Sequence, residues 1–354
     1  MRVDDFDYQL PQELIAQTPL EKRSESRLLV ADPMEKSLIH SSFQHLTQFL
    51  KPGDVMVFND SKVLPARLYG TKSQTGARIE FLLLKPIEGL EWSVLAKPAK
   101  RLHVGDEVEF KHGDTVLATA VVKEVFEAGL RRVEFHLADT PNQESFERFL
   151  DEVGSMPLPP YIQQPLMDKQ RYQTVYAKAP GSVAAPTAGL HFTKELLAQL
   201  VEMGVSLQYV TLHVGLGTFR PVQVSEVEQH VMHSEAYEVP QSVADAVNLA
   251  KAEGRRVISV GTTALRTLES AGQSGQLQAG RGDTDIFIYP GYEFKMVDAL
   301  ITNFHLPKST LLMLVASLMG LEFTKHAYEA AVQERYRFFS FGDAMFITRR
   351  ASDS

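Results

Sequence analysis

Residues Pro180 to Val222 read PGSVAAPTAGLHFTKELLAQLVEMGVSLQYVTLHVGLGTFRPV, and their order of loop, helix, strand and loop decides the fold class. Two similar phrases stand at the ends, PTAGLHFT and LHVGLGTF, each setting a histidine beside glycine and threonine. Between them Thr193 is placed to cap a helix whose apolar residues Leu196, Leu197, Leu200 and Val201 recur at helical spacing, and Gly204 is placed to stop it. VSLQYVTL follows as a run of β-formers suited to a buried strand. The unit thus carries two glycine-loosened loops, with His191 and His213, to places where a ligand can sit.

Comparable units lie on either side. VMVF predicts an apolar strand, and Asn59, Asp60, Ser61 and Lys62 leave it directly, where open α/β sheets carry ligand-binding residues. RRVISVGTTALRTLESA reads as strand, loop and helix. There Thr262 or Thr263 would cap the helix, its free amides would favour an anion, and Arg266 would stand in the first turn. ALITNFH is an apolar strand ending in Asn303 and His305, LPKSTLLMLVASLMG a buried helix starting near Pro307, and AYEAAVQERYRFFSFGDAMFI a helix with a last strand. If these strands are parallel, their carboxyl ends share one edge and the polar residues converge. Each group alone is also ordinary turn or cap chemistry.

From about Leu64 to Gly154 the texture changes to periods of two with tight turns. ARIEFLLLKP, EWSVLAKPA, DEVEFKHG, TVLATAVVKEVFE and LRRVEFHL read as about five short strands, followed by the short helix SFERFLDEVG and the proline-rich loop SMPLPPYI. Such a block makes a small β-barrel or sandwich. The expected fold is α/β, a larger α/β domain with an inserted small β-barrel domain: residues 1–63 plus 154–354 for the first and 64–153 for the second. Lys97, Lys100 and Arg101 fall on a loop of the inserted block.

Composition excludes several chemistries. The 354 residues, 44% hydrophobic, suffice for large cores, and the absence of cysteine excludes disulfides, thiolate nucleophiles and cysteine-ligated metal. This fits a reducing cytoplasm. MRVDDFDYQLP has no apolar signal region, and STLLMLVASLMG is too short for a bilayer, which needs roughly 20 residues. A net charge of −8 argues against general nucleic-acid binding but leaves room for a local basic face. There is no GxGxxG after the first strand, no GxxxxGK[ST] and no GxSxG elbow. His230, His233 and Glu235 give H-x-x-H-x-E, the basis of an alternative reading as a metal-dependent hydrolase. General acid-base chemistry at His191, His213 and His305 fits better, because three histidines occupy matching positions.

Ten strings then carry a resemblance that runs from end to end: FDYQLPQELIAQTP, SRLLV, DVMVFNDSKVLPARL, GSMPLPPYI, RYQTVYAKAPGSVAAPTAGLHFT, LHVGLGTFRPV, MHSEAYEVP, RRVISVGTTALRTLES, TDIFIYPGYEF and LITNFHLPKSTLLMLVASLMG. In these the chain closely resembles the S-adenosylmethionine:tRNA ribosyltransferase-isomerases of queuosine biosynthesis. The resemblance implies a cytoplasmic enzyme that moves the ribosyl portion of S-adenosylmethionine to a 7-aminomethyl-7-deazaguanine base at the tRNA anticodon wobble position. That portion is isomerised to give epoxyqueuosine, with adenine and methionine released. S-adenosylmethionine is then a consumed co-substrate, no prosthetic group or metal is implied, and the partner is the tRNA anticodon stem-loop. A monomer is favoured, with no membrane partner.

On this chemistry His191, His213 and His305 are expected to transfer protons, and Asp60 and Glu235 to orient a histidine or balance the sulfonium. Asn59, Ser61, Thr262, Thr263 and Asn303 are expected to hydrogen-bond the co-substrate, and Arg67 and Arg266 to hold its carboxylate or an anticodon phosphate. Lys97, Lys100, Arg101, Arg171 and Tyr172 are the expected RNA contacts. A non-catalytic RNA-binding protein built on the β-domain is the remaining alternative.

Overall fold

In the computed structural model, residues 1–215 and 222–350 are described; the glycine-rich remainder of LHVGLGTF beyond Gly215 lies outside them. The chain forms two compact units, one of Met1–Lys62, Pro160–Ala179 and Ala185–Ser354, the other of Val63–Pro159 and Pro180–Ala184.

In chain order the first unit starts with β1 (Arg27–Asp32), β2 (Ser37–Ser42) and β3 (Val55–Asn59), after which comes the short β4 (Ser61–Val63). The second unit holds β5 (Arg67–Lys72), β6 (Arg78–Pro86), β7 (Glu91–Lys97), β8 (Glu107–His112), β9 (Thr115–Val125), β10 (Leu130–Leu137) and α1 (Gln143–Val153). After the short β11 (Ala179–Ser182) come α2 (Lys194–Glu202), β12 (Ser206–Leu212), β13 (Glu235–Val239), α3 (Gln241–Ala252), β14 (Val257–Val260), α4 (Thr262–Ala271), β15 (Gly280–Thr284), β16 (Ala299–Asn303), α5 (Thr310–Met319), α6 (Leu321–Gln333) and β17 (Ala344–Ile347).

The first unit is built on a nine-stranded sheet ordered β15-β13-β12-β3-β14-β16-β17-β1-β2. β3, β14 and β16 are buried at every residue, the pattern of parallel strands covered on both faces. Alternate residues of one strand feed opposite cores. Val55 and Val57 of β3 pack in the same core as Leu265, Leu268 and Met313, whereas Met56 and Phe58 pack with Phe192, Leu196 and Leu200. Along β12, β3, β14 and β16 the pairing is parallel, with Val210 opposite Asn59, Phe58 opposite Val260, and Val260 opposite Ile301. Their carboxyl ends therefore share an edge, as the sequence pattern anticipated.

β17 enters beside β16 antiparallel, with Asn303 opposite Ala344, and β1 pairs parallel with β17, Leu28 opposite Ala344. The amino ends of β1 and β17 thus reach the same edge, which no local pattern announced.

Local expectations fared unevenly. Thr193 caps α2 by accepting from the Leu196 amide at 3.2 Å, and Gly204 takes a left-handed φ of 87° after it. The segment after Ser42 forms a 3-10 helix, Phe43–Phe49. Neither Thr262 nor Thr263 caps α4. Its N-cap is Gly261 at φ 89°, with no side-chain cap. β12 is only half covered over Ser206–Tyr209, since β13 pairs with it at Thr211 and Leu212.

The second unit is a closed antiparallel barrel of six strands, β10-β7-β6-β5-β8-β9. Val94, Phe81, Phe110 and Phe135 point inward, and α1 packs Phe146 and Phe149 on this interior, Phe146 stacked against Trp92 at 5.6 Å and Phe149 edge-on to Phe110 at 5.8 Å. The sixth strand, β5, escaped the reading of the sequence because Gly70 interrupts its pattern. A Cβ there would lie 2.6 Å from Val108 Cγ1, so glycine is what lets β8 pass this closely.

Candidate active site at the strand carboxyl ends

Asn59, at the end of β3, is fully buried. Its Oδ1 accepts from the amides of Leu212 (3.0 Å) and Ser61 (3.1 Å), while Nδ2 donates to the Leu212 carbonyl (3.0 Å) and Thr263 Oγ1 (3.1 Å). One side chain thereby ties the end of β12 to the start of α4. It is a clamp for the edge, with its own donors and acceptor in use. Asp60 accepts from Thr211 Oγ1 at 2.7 Å, and its carbonyl receives the Lys178 and Ala179 amides. The Ser61 hydroxyl is buried without a partner.

Next along the edge, Arg266 in α4 and Glu235 at the start of β13 form an ion pair through Nη1 and Oε2, each residue 5% exposed. Glu235 Oε1 also accepts the Gly215 amide at 2.8 Å. Arg266 keeps Nε and Nη2 without a partner among the described residues. A buried, paired guanidinium with two spare donors is a preorganised fork for a carboxylate or phosphate. The pairing commits one carboxylate oxygen of Glu235 to Arg266. Among the described residues no three His, Cys, Asp or Glu side chains are grouped to hold a metal ion, and His230 instead packs edge-on to Phe287.

The three histidines occupy different environments. His191 is 4% exposed and stacks on Phe43 at 4.9 Å. Its Nδ1 is 2.7 Å from Ser26 Oγ and its Nε2 is 3.2 Å from Asn303 Nδ2. Asn303 Nδ2 also donates to the Phe339 carbonyl at 3.1 Å, which fixes the amide and makes Nε2 the acceptor, so the proton sits on Nδ1. Burial, then Arg23 and Arg337, hold the pKa of His191 down to about 3. His305 is likewise pushed down to about 3 by burial, with Nε2 2.8 Å from Thr302 Oγ1 and its backbone gripped by Tyr8 and Tyr328.

His213 differs. It is half-buried, its Nδ1 has no partner among the described residues, and its amide is pinned to the Ala236 carbonyl at 3.0 Å. Burial lowers its pKa, while Asp60 and Glu238 pull it back up. It is a neutral imidazole with a carboxylate field behind it.

Other expected residues belong to other elements. Arg67 lies in the barrel unit, 3.3 Å from Glu80. Lys97, Lys100 and Arg101 are exposed there, and among the described residues none has a carboxylate within 4 Å. Arg131, 5% exposed, braces their loop by donating to the carbonyls of Ala99 (2.6 Å), Leu130 (2.7 Å) and Phe126 (3.1 Å), and Phe126 itself is half exposed. Arg171 donates to the carbonyls of Leu20 and Glu21. Tyr172 needs correction as a stacking platform: its ring is fully buried, edge-on to Phe341, and offers no face to a base.

Ser26, Asp343 and Glu269 were missed. Asp343 accepts the amides of Arg27 and Arg337, fixing the amino ends of β1 and β17. Glu269 of α4 is fully buried and accepts the amides of Lys295, Met296 and Val297. Their partners are distant in sequence, and only a buried acid in an apolar helix hinted at the last.

Residues 3–347 match the family model described as Queuosine biosynthesis protein. The chain is 53% identical over 349 residues to the S-adenosylmethionine:tRNA ribosyltransferase-isomerase of Natranaerobius thermophilus, covering 98% of this chain and 99% of that one. It is 54% identical over 348 residues to the enzyme of the same name from Desulforamulus reducens, covering 98% and 100%. The crystal structure of the S-adenosylmethionine tRNA ribosyltransferase from Thermotoga maritima resembles it with a TM-score of 0.55 at 38% identity, over 97% of this chain and 99% of that one.

Proposed function

We propose how the site works from the premise that this chain belongs to the queuosine biosynthesis family and is a transferase that moves and isomerises the ribosyl group of S-adenosylmethionine onto tRNA. The acceptor in this reading is the aminomethyl nitrogen of a 7-deazaguanine at the anticodon wobble position. Adenine and methionine leave, so S-adenosylmethionine is consumed and no prosthetic group takes part. No helix among the described residues is long and apolar enough to cross a membrane, and we place the enzyme in the cytoplasm.

The sulfonium acidifies the ribose C5′ hydrogens, and the first requirement is a neutral base at the site. We assign that role to His213. The single observation that carries it is the Nδ1 of His213, buried and without a hydrogen-bond partner among the described residues, on the edge shared with Asn59, Thr263 and Arg266, with the field of Asp60 there to stabilise the imidazolium that forms. His191, with both ring nitrogens engaged, and His305, with Nε2 engaged, have suppressed proton affinities and act as positioning residues. Asn59, Thr262, Thr263, Ser61 and Asn303 shape the pocket for ribose and adenine. Arg266 offers Nε and Nη2 to the methionine carboxylate, and Glu235 keeps that guanidinium oriented.

For tRNA, the braced loop of Lys97, Lys100 and Arg101, with half-exposed Phe126 beside Arg131, combines cationic and aromatic groups suited to a nucleic-acid backbone and an unstacked base. The decisive experiment is adenine release from S-adenosylmethionine and tRNA bearing the aminomethyl base, under single-turnover conditions. His213→Gln should slow it by about 10²–10⁴-fold. An unchanged rate would remove His213 from proton transfer.

A further inference from the structure

Beside His191 the first unit has an open cleft of about 300 Å³, its mouth included, lined by Pro19, Leu20, Arg23, Ser26, Arg171 and Ser340 among others. Arg337 stands behind it, reaching the Thr18 carbonyl and acting electrostatically on His191. We propose that this cleft binds one phosphodiester of the RNA substrate, with Arg23 and Arg171 as its contacts and Arg337 adding to the field.

The first argument is uncompensated charge. Arg23 donates to the carbonyls of Leu190 (3.2 Å) and Gln170 (2.7 Å), and Arg171 to those of Glu21 (2.8 Å) and Leu20. Carbonyls satisfy N–H groups but leave the formal charge. Among the described residues none of the three guanidiniums has a carboxylate within 4 Å. Asp168 and Asp343 act on Arg23 and Arg337 only from beyond ion-pair distance, with oxygens turned to the amides of Gln170, Arg27 and Arg337, so the compensation they give is partial. Arg171 Nε and Arg337 Nη1 are buried with no acceptor among the described residues, a costly state that an incoming oxyanion would relieve.

The second argument is the polarity of the wall. His191 is neutral, with its Nδ1 proton donated to Ser26, whose hydroxyl lies 3.3 Å from the Arg23 carbonyl. The ring adds no negative charge to compete with a ligand. The third is openness and sign. The cleft is open to solvent, so a ligand held there by one oxyanion group can continue outside it, as a polymer backbone does. S-adenosylmethionine carries net positive charge and would be repelled by three unpaired guanidiniums, whereas RNA would be drawn in. The inference rests on tRNA being the substrate.

Arg23→Gln and Arg171→Gln keep an amide donor for the carbonyls and remove the charge. Binding of an anticodon stem-loop RNA, followed by fluorescence anisotropy across a salt series, should weaken about tenfold in each variant. The salt slope should fall by about 0.7. Arg171→Lys should retain the slope, and inorganic phosphate should compete with RNA on the wild-type enzyme without displacing S-adenosylmethionine. Unchanged RNA affinity and slope in the folded variants would overturn the assignment. Weakened S-adenosylmethionine binding in place of weakened RNA binding would overturn it too, as would phosphate failing to compete. Adenine release by the wild-type enzyme is the separate control: its absence would sink the ribosyltransferase reading, and its presence with unaffected variants only the cleft.

Discussion

His191 and His305 sit with pKa values of about 3, against about 6.5 for an unfolded histidine, because burial denies the imidazolium its water. As pH falls below 6.5 the unfolded chain takes up protons that the folded chain refuses. The stability these residues contribute is therefore complete above 6.5 and is lost between 6.5 and 3, by up to about 1.4 kcal/mol per pH unit for each. Asp343, whose carboxyl burial pushes up, works in the opposite sense and offsets part of this. Urea melts at pH 7.5, 6 and 5 should show the decline, and His305→Gln should flatten it by close to half; parallel pH slopes for variant and wild type would count against buried neutral imidazoles. At His213 the same physics acts on rate. Its pKa is lowered, so the acidic limb of the single-turnover profile should fall below the ordinary histidine range, and His213→Gln should abolish that limb.

Two glycines show how an element is placed by a single missing side chain. Gly261 caps α4 at φ 89° and ψ 154°, a conformation used almost only by glycine that costs an L-residue about 1–3 kcal/mol, and it sets the helix start that presents Thr262 and Thr263. Gly261→Ala should raise the KM for S-adenosylmethionine more than that for tRNA; equal rises would mean a global defect. At Gly70 the obstacle is packing, since an added Cβ would meet Val108 Cγ1 at 2.6 Å and the Glu109 carbonyl at 2.8 Å. Gly70→Ala should destabilise the barrel by about 1–3 kcal/mol, read as a lowered thermal midpoint in the barrel's tryptophan signal from Trp92. A midpoint within error of the wild type would show that β5 and β8 can part at little cost.

Across the whole molecule the net charge is −8, so RNA must be met by local positive surface against an unfavourable average field. Replacing Lys97, Lys100 and Arg101 together by glutamate should raise the tRNA KM by about 10- to 100-fold at low salt, with that for S-adenosylmethionine within twofold. Convergence of the two KM values at high salt would confirm that the effect is electrostatic; a matched rise in both would place the loop outside RNA binding.

The α/β and β texture, the strands β3, β12, β14 and β16, and the polar residues leaving them were legible because parallel strands are continuous apolar runs whose ends must change character. That is local information, and the sequence by itself determined it, together with the family resemblance. What a residue does at the shared edge was decided only by the tertiary structure. Asn59 became a clamp, Glu235 the partner of Arg266, and Tyr172 a core ring, because partners about 30 to 200 residues away used up what those side chains had to offer. The insertion of β17 antiparallel beside β16 brought Ser26 and Asp343 to the edge near His191 and Asn303. A hydrogen bond or an ion pair is a property of two places in space, and one chain position carries only half of it.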